Sequence, residues 1–190
     1  ALVYFRYRDT GRRSHYGWAT GFFILALLTK TVTASLPAAL LVIFWWQQGK
    51  LNWRRDVLPL LPWAALGLIS GLVTAGFERE LIGAQGVDFN LDILQRCRLA
   101  GRVFWFYLGK LIWPAGVICI YPHWTVNTGE WWQWIFSVAA VALLAGLIVV
   151  ARRKRGPLAV MLVFAGTLFP VLGFVNVFPF LFSYVADHFQ

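Results

Sequence analysis

Lys30 is the one charge in the apolar run from Gly17 to Gln47. A lone cation at mid-helix in such a run costs about 2.5–3.5 kcal/mol on insertion scales, so it normally faces a cavity, a partner or a polar boundary. Two uses fit it: snorkelling from a turn into lipid headgroups, or holding a phosphate or carboxylate at the mouth of a helix bundle. Arg98, Arg102 and Lys110 form a second group. On a helix Arg98 and Arg102 stack on one face, with Lys110 about 80° away. Guanidinium forks match the oxyanions of a phosphate. The stripe therefore suits either ordinary headgroups or the phosphate of a lipid-linked substrate. Tyr121-Pro122-His123-Trp124 ends this element; His123 reads as a switch or base, or as a plain surface residue. Asp187, the only acid after Glu130, is followed by His188. Neighbours in sequence point to different faces of a helix, so adjacency alone makes no dyad. Phosphate-binding glycine loops, dinucleotide fingerprints and zinc-type His or Cys motifs do not occur. No metal site is expected, and nucleotide-driven transport is unsupported.

What must position these residues is a membrane bundle. The chain is 59% hydrophobic, against roughly 45–50% in soluble domains, and its mean hydropathy is +0.66. Arg6, Arg8, Arg12 and Arg13, then Lys50, Arg54 and Arg55, then Arg152, Arg153, Lys154 and Arg155 make three clusters. With Asp9 and Asp56 as the only acids nearby, these clusters account for the whole formal charge of +9; elsewhere acids and bases balance. Loops rich in Lys and Arg stay cytoplasmic, so the clusters mark where the chain turns back. A nucleic-acid partner would need the bases interleaved with exposed aromatics on one surface, and none is expected. The eleven Trp and six Tyr suit interfacial belts. Cys97 and Cys119 lack metal-ligand spacing and are expected as free thiols rather than a bridge.

The expected fold is all-α: a polytopic transmembrane bundle with an interfacial or re-entrant helix on the non-cytoplasmic side. One helix over Gly17 to Gln47 would be about 46 Å long, too long for a core of about 30 Å. The break at Thr29 to Pro37 predicts two short spans instead, about 16–29 and 34–47, with Lys30 at the tip between them. Further spans are expected at about 56–77, 131–151 and 157–173. Arg55 and Arg152 lie on one side, so the crossings between them must be even. The segment at about 91–121 is then an interfacial or re-entrant element and not another crossing. The most loop-like stretch is Gly83 to Asp88. The chain opens on an apolar stub, Ala1 to Phe5, and ends at Gln190 without a natural stop. It is expected to be part of one transmembrane domain, truncated at both ends.

Three stretches carry a family resemblance. They are Leu27 to Pro37 with the basic loop after it; Phe106-Tyr107-Leu108-Gly109-Lys110-Leu111-Ile112-Trp113-Pro114 followed by Tyr121-Pro122-His123-Trp124; and Tyr184 to Gln190. In this order they resemble the membrane part of bacterial relatives of the transmembrane-and-TPR O-mannosyltransferases, in the C-type glycosyltransferase superfamily. The resemblance covers nearly the whole chain through short motifs. It implies a multi-pass enzyme of the bacterial inner membrane that moves a sugar, mannose by the family pattern, from a polyprenyl-phosphate carrier to a protein or glycan acceptor on the non-cytoplasmic side. It also implies TPR repeats beyond Gln190, catalytic acids upstream of Ala1, no defined cofactor and no activity for this fragment alone. On that reading Lys30, Arg98, Arg102, Lys110, Tyr121, Asp187 and His188 bind substrate. Vertebrate members usually carry Arg where His188 aligns. The rival classes are a lipid or solute transporter or flippase, which would favour intramembrane acids and matched halves, and a non-catalytic membrane scaffold.

Overall fold

A computed structural model describes residues 1–80, 91–116, 118, 121, 122, 124, 131–174, 180 and 183–186, with only the backbone of 78–80. The described residues are helical and contain no strand. They divide into two compact units, Ala1–Thr74 and Ala75–Gln190. Two helical stretches, Trp53–Phe77 and Trp131–Ala151, are long and apolar enough to cross a membrane.

In the first unit, α1 (Leu2–Thr10) ends at Gly11 and α2 spans Arg13–Thr29. Gly11 takes a left-handed φ of 68° and returns its N–H to the Tyr7 carbonyl, a helix stop that favours glycine. Lys30 is extended and exposed, and a 3-10 turn over Thr31–Ser35 leads into α3 (Leu36–Gln48), with Pro37 in its first turn. The predicted break between the two short helices is therefore present. Gly49 stops α3 as Gly11 stops α1, with φ 76°. A π turn at Trp53–Val57 and a 3-10 turn at Leu58–Leu60 then feed α4 (Leu61–Glu80).

The core of this unit is aromatic. Tyr4, Phe23, Phe44 and Trp63 are buried together with Ala19, Leu27, Leu40 and Leu60. Phe23 and Trp63 stack at 4.6 Å with rings 4° apart, and Tyr4 meets Trp63 edge-on at 5.1 Å. Such pairs add about 0.5–1.5 kcal/mol each beyond area burial. Polar edges are satisfied locally: the Trp63 indole donates to Thr20 Oγ1 at 2.9 Å and the Tyr16 hydroxyl to the Pro59 carbonyl at 2.9 Å.

In the second unit, α5 (Ile93–Ile112) begins at Asp92, whose N–H donates to Gln95 Oε1 at 2.8 Å. That is half of a capping box. A 3-10 turn at Trp131–Gln133 opens α6 (Trp134–Ala151), and α7 (Gly156–Leu168) follows after a short basic turn, continuing as a 3-10 turn to Val171. A connection this short makes α6 and α7 an antiparallel hairpin. The buried cluster joins Leu99, Val103 and Tyr107 of α5 to Leu168, Phe180, Tyr184 and Val185. By contrast, only 6% of the α6 apolar window is buried, and 17% of the window at Trp53–Phe77. The apolar faces of these two helices are thus left largely uncovered by the described residues.

Candidate functional site

Helix α5 carries the cations. Arg98, Arg102, Phe106 and Lys110 recur every fourth residue and so drift slowly round one face. The Arg98 guanidinium is buried and lies 4.7 Å from the centre of the Trp134 ring. Arg102 is half-buried, its guanidinium 4.2 Å from the Trp124 ring. The Phe106 ring meets Tyr121 edge-on at 4.9 Å and Trp124 at 5.7 Å. The Lys110 ammonium lies 5.2 Å from Tyr121 and 5.7 Å from Phe106. It donates to the Ala115 carbonyl and to the Gly116 carbonyl at 3.0 Å. Tyr121 donates to the same Gly116 oxygen at 3.0 Å. Lys110 thus closes the loop after α5, and its charge is shared between two carbonyls and two ring faces.

Cations over ring faces gain roughly 0.5–2 kcal/mol, more as water is excluded. The rings also fix where each charge sits. The result is a ladder of positive charge interleaved with aromatic surface. It suits an anion attached to an apolar or amphipathic group better than a free, fully hydrated ion.

Other bonds hold α5 in place. Arg96 donates to the Leu91 carbonyl at 3.1 Å and to the Gly173 carbonyl at 2.8 Å. Trp105 Nε1 donates to the Phe136 carbonyl at 2.9 Å, and Ser137 Oγ to the Cys97 carbonyl at 2.9 Å. A Cβ on Gly101 would stand 2.6 Å from the Ser137 nitrogen, so glycine is what lets the two backbones meet. Phe104 packs edge-on against Phe164 at 5.7 Å. These contacts engage the first turn of α6 and the last part of α7, about 21 Å along α6 from its end at Ala151. Helix α5 therefore lies across the end of the α6–α7 hairpin remote from Arg152–Arg155.

Arg98, Arg102, Lys110 and Tyr121 accordingly lie in one unit, along a drifting stripe of α5 and its adjoining loop, with Arg98 buried against α6. Lys30 belongs to the first unit. Asp187, His188, His123 and Cys119 lie outside the described residues, as does the predicted loop at Gly83 to Asp88; Cys97 is a free thiol. Tyr107 was not among the sequence candidates, yet its buried hydroxyl donates to the Ala186 carbonyl at 3.0 Å and accepts the Ala186 N–H at 2.9 Å. It fixes the residue just before Asp187 against α5. Phe106 and Trp124 were also missed as parts of the site; the four-residue spacing from Arg98 to Lys110 was the signal for Phe106. Among the described residues no cluster of three His, Cys, Asp or Glu side chains could hold a metal. Comparison with protein-family models, with curated proteins and with solved structures returned no match.

Proposed function

We propose that this chain is the membrane part of a glycosyltransferase that takes a sugar, mannose by the resemblance, from a polyprenyl-phosphate donor at the non-cytoplasmic face of the bacterial inner membrane. The observation that carries the reading is the position of the α5 ladder, across the end of the α6–α7 hairpin opposite the basic turn Arg152–Arg155. If that turn is cytoplasmic, the Arg98–Lys110 face meets the carrier lipid at the other boundary. The uncovered apolar faces of α4 and α6 support a multi-pass bundle in lipid.

In such a reaction an acceptor hydroxyl oxygen attacks the anomeric carbon of the sugar. The bond from that carbon to the carrier phosphate oxygen breaks, and the polyprenyl phosphate departs with the electron pair. The hydroxyl proton goes to a base that is not assigned among the residues of this chain. This chain's contribution is to hold the phosphate and stabilise the charge gained as it leaves. Arg102, half-buried on a ring face, is the best-placed donor, with Arg98 and Lys110 adding field from either side. Lys30, an exposed cation at a helix break of the first unit, is a separate candidate for an anion contact.

The test uses the full-length protein in membranes, supplied with radiolabelled sugars on polyprenyl phosphate and an acceptor extract. Label should move from the lipid phase to acceptor. A correctly inserted protein that transfers none of the carrier-linked sugars, yet moves intact lipid between leaflets, would establish the flippase class instead.

A further inference from the structure

Two basic segments of the first unit, Arg6 to Arg13 and Lys50 to Arg55, are far apart in sequence but meet at one end of the fold. The Arg8 guanidinium pairs with Asp56 at 3.0 Å and reaches Gln47 Oε1 at 3.5 Å; Arg55 Nη2 reaches the Arg8 carbonyl at 3.5 Å. The turn at Asn52–Val57 sorts its charges. Asn52 Oδ1 accepts the N–H groups of Arg54 and Arg55, while Asp56 accepts the Asn52 N–H at 2.9 Å. Asp56 is thereby turned wholly inward, at 0% exposure, and Arg54 and Arg55 outward. With its charge committed to Arg8, Asp56 offsets none of the surface bases. Arg6, Arg12, Arg13, Lys50, Arg54 and Arg55 are all exposed, and Asp9 is the one exposed acid in these two segments. Trp46, Leu51, Trp53 and Leu58 are exposed in the same stretch of chain.

A surface that joins six cations to exposed indole and leucine side chains matches a ligand that is anionic at one end and apolar at the other. Nucleic acid would answer the charge but leave Leu51 and Leu58 without a partner. We propose that this end of the first unit is a binding surface for acidic phospholipids, with the bases on the headgroup phosphates and the Trp and Leu side chains against the glycerol and first methylenes. The inference rests on the membrane reading above but is independent of the transferase chemistry.

The experiment is native mass spectrometry of the full-length protein released from micelles doped equally with phosphatidylglycerol and phosphatidylcholine. At about 1 kcal/mol per basic residue near an anionic surface, retained phosphatidylglycerol should exceed phosphatidylcholine by about tenfold or more. Combined Arg12→Gln, Arg13→Gln, Arg54→Gln and Arg55→Gln should bring the two lipids near parity, while Lys at the same four positions keeps the preference. Combined Arg152→Gln, Arg153→Gln, Lys154→Gln and Arg155→Gln should leave most of it. Equal retention of both lipids by the unaltered protein overturns the proposal, as does equal loss in both Gln variants. Binding of a single-stranded oligonucleotide without any lipid preference would overturn it in favour of nucleic acid. Alkaline extraction reads the membrane assignment separately, so a protein that stays in the pellet yet shows no preference sinks this inference alone.

Discussion

Arg8 and Asp56 show how a residue's role depends on where its charge ends up. The Asp56 carboxylate is fully buried, and the Arg8 guanidinium lies 3.0 Å from it and 3.7 Å from the centre of the Phe44 ring. Removing one member of a buried pair leaves the other uncompensated, at a cost of about 3–5 kcal/mol, whereas replacing both with apolar residues is close to neutral. Asp56→Leu should therefore lower the thermal unfolding midpoint in detergent sharply, and adding Arg8→Met should restore most of the loss. Equal midpoints for the single and double variants would show that the pair is not coupled. In the sequence both residues counted only as topological charges, because a pairing across nearly fifty residues leaves no local trace. The cation ladder was easier to read, since Arg98, Arg102 and Lys110 follow a loose, drifting stripe on one helix whatever surrounds them. What sequence could not supply was the aromatic partner under each charge. That partner suggests a graded test of the proposed transfer in the full-length protein. Lys30→Ala should impair use of the polyprenyl-phosphate donor without affecting insertion. Arg102→Ala should reduce transfer at low donor concentration about 10- to 100-fold, in line with one charge-assisted contact of roughly 1.5–3 kcal/mol. Arg102→Lys should recover only part, because lysine lacks the planar fork. A donor-dependence curve unchanged from the unaltered protein would exclude phosphate contact for the residue concerned.

At the scale of elements, α5 is the piece on which the second unit depends. Its basic stripe, and the even number of crossings required between Arg55 and Arg152, marked it in the sequence as a helix that is not a simple crossing. Its central packing was not legible: Leu99, Val103 and Tyr107 form the unit's core, and the close approach to α6 depends on Gly101. A glycine in an apolar helix carries no label saying which neighbour it admits. Gly101→Ala forces a methyl into the Ser137 backbone and should destabilise by about 1–3 kcal/mol, read as faster proteolysis of the loop after α5 and a lower midpoint. Gly109 has open space where its Cβ would lie. Gly109→Ala should be neutral or stabilising by up to about 1 kcal/mol, which makes it the control. Helix α1 was hidden for a different reason. Arg6, Arg8 and Asp9 interrupt its apolar pattern, and only the fold shows Tyr4 at the centre of an aromatic core. The hairpin break at Lys30, by contrast, followed from the length of the apolar run, because no single helix of that length fits a bilayer.

For the whole molecule the governing question is sidedness. Helices α2 and α3, with 17 and 13 residues, would reach only about 26 and 20 Å, so as spans they require local thinning of the bilayer or cover from other helices. The stretches at Trp53–Phe77 and Trp131–Ala151 need neither. If the three basic clusters share the cytoplasm, an even number of crossings separates each from the next. Arg153 then lies on one side of the membrane, and Lys30 and Arg102 lie on the other. This is testable in intact cells by removing Cys97 and Cys119, placing single cysteines at positions 30, 102 and 153, and adding a membrane-impermeant maleimide. Positions 30 and 102 should label from outside, the exposed position 30 fastest, and position 153 only after permeabilisation. The half-burial of Arg102 against Trp124 sets a further expectation: its label should rise when Trp124 is changed to Ala, with position 30 unaffected. Labelling of positions 102 and 153 alike only after permeabilisation would place the cation ladder in the cytoplasm with the Arg152–Arg155 turn. A carrier lipid presented at the outer leaflet could not reach it there, and the proposed transfer would have no phosphate site.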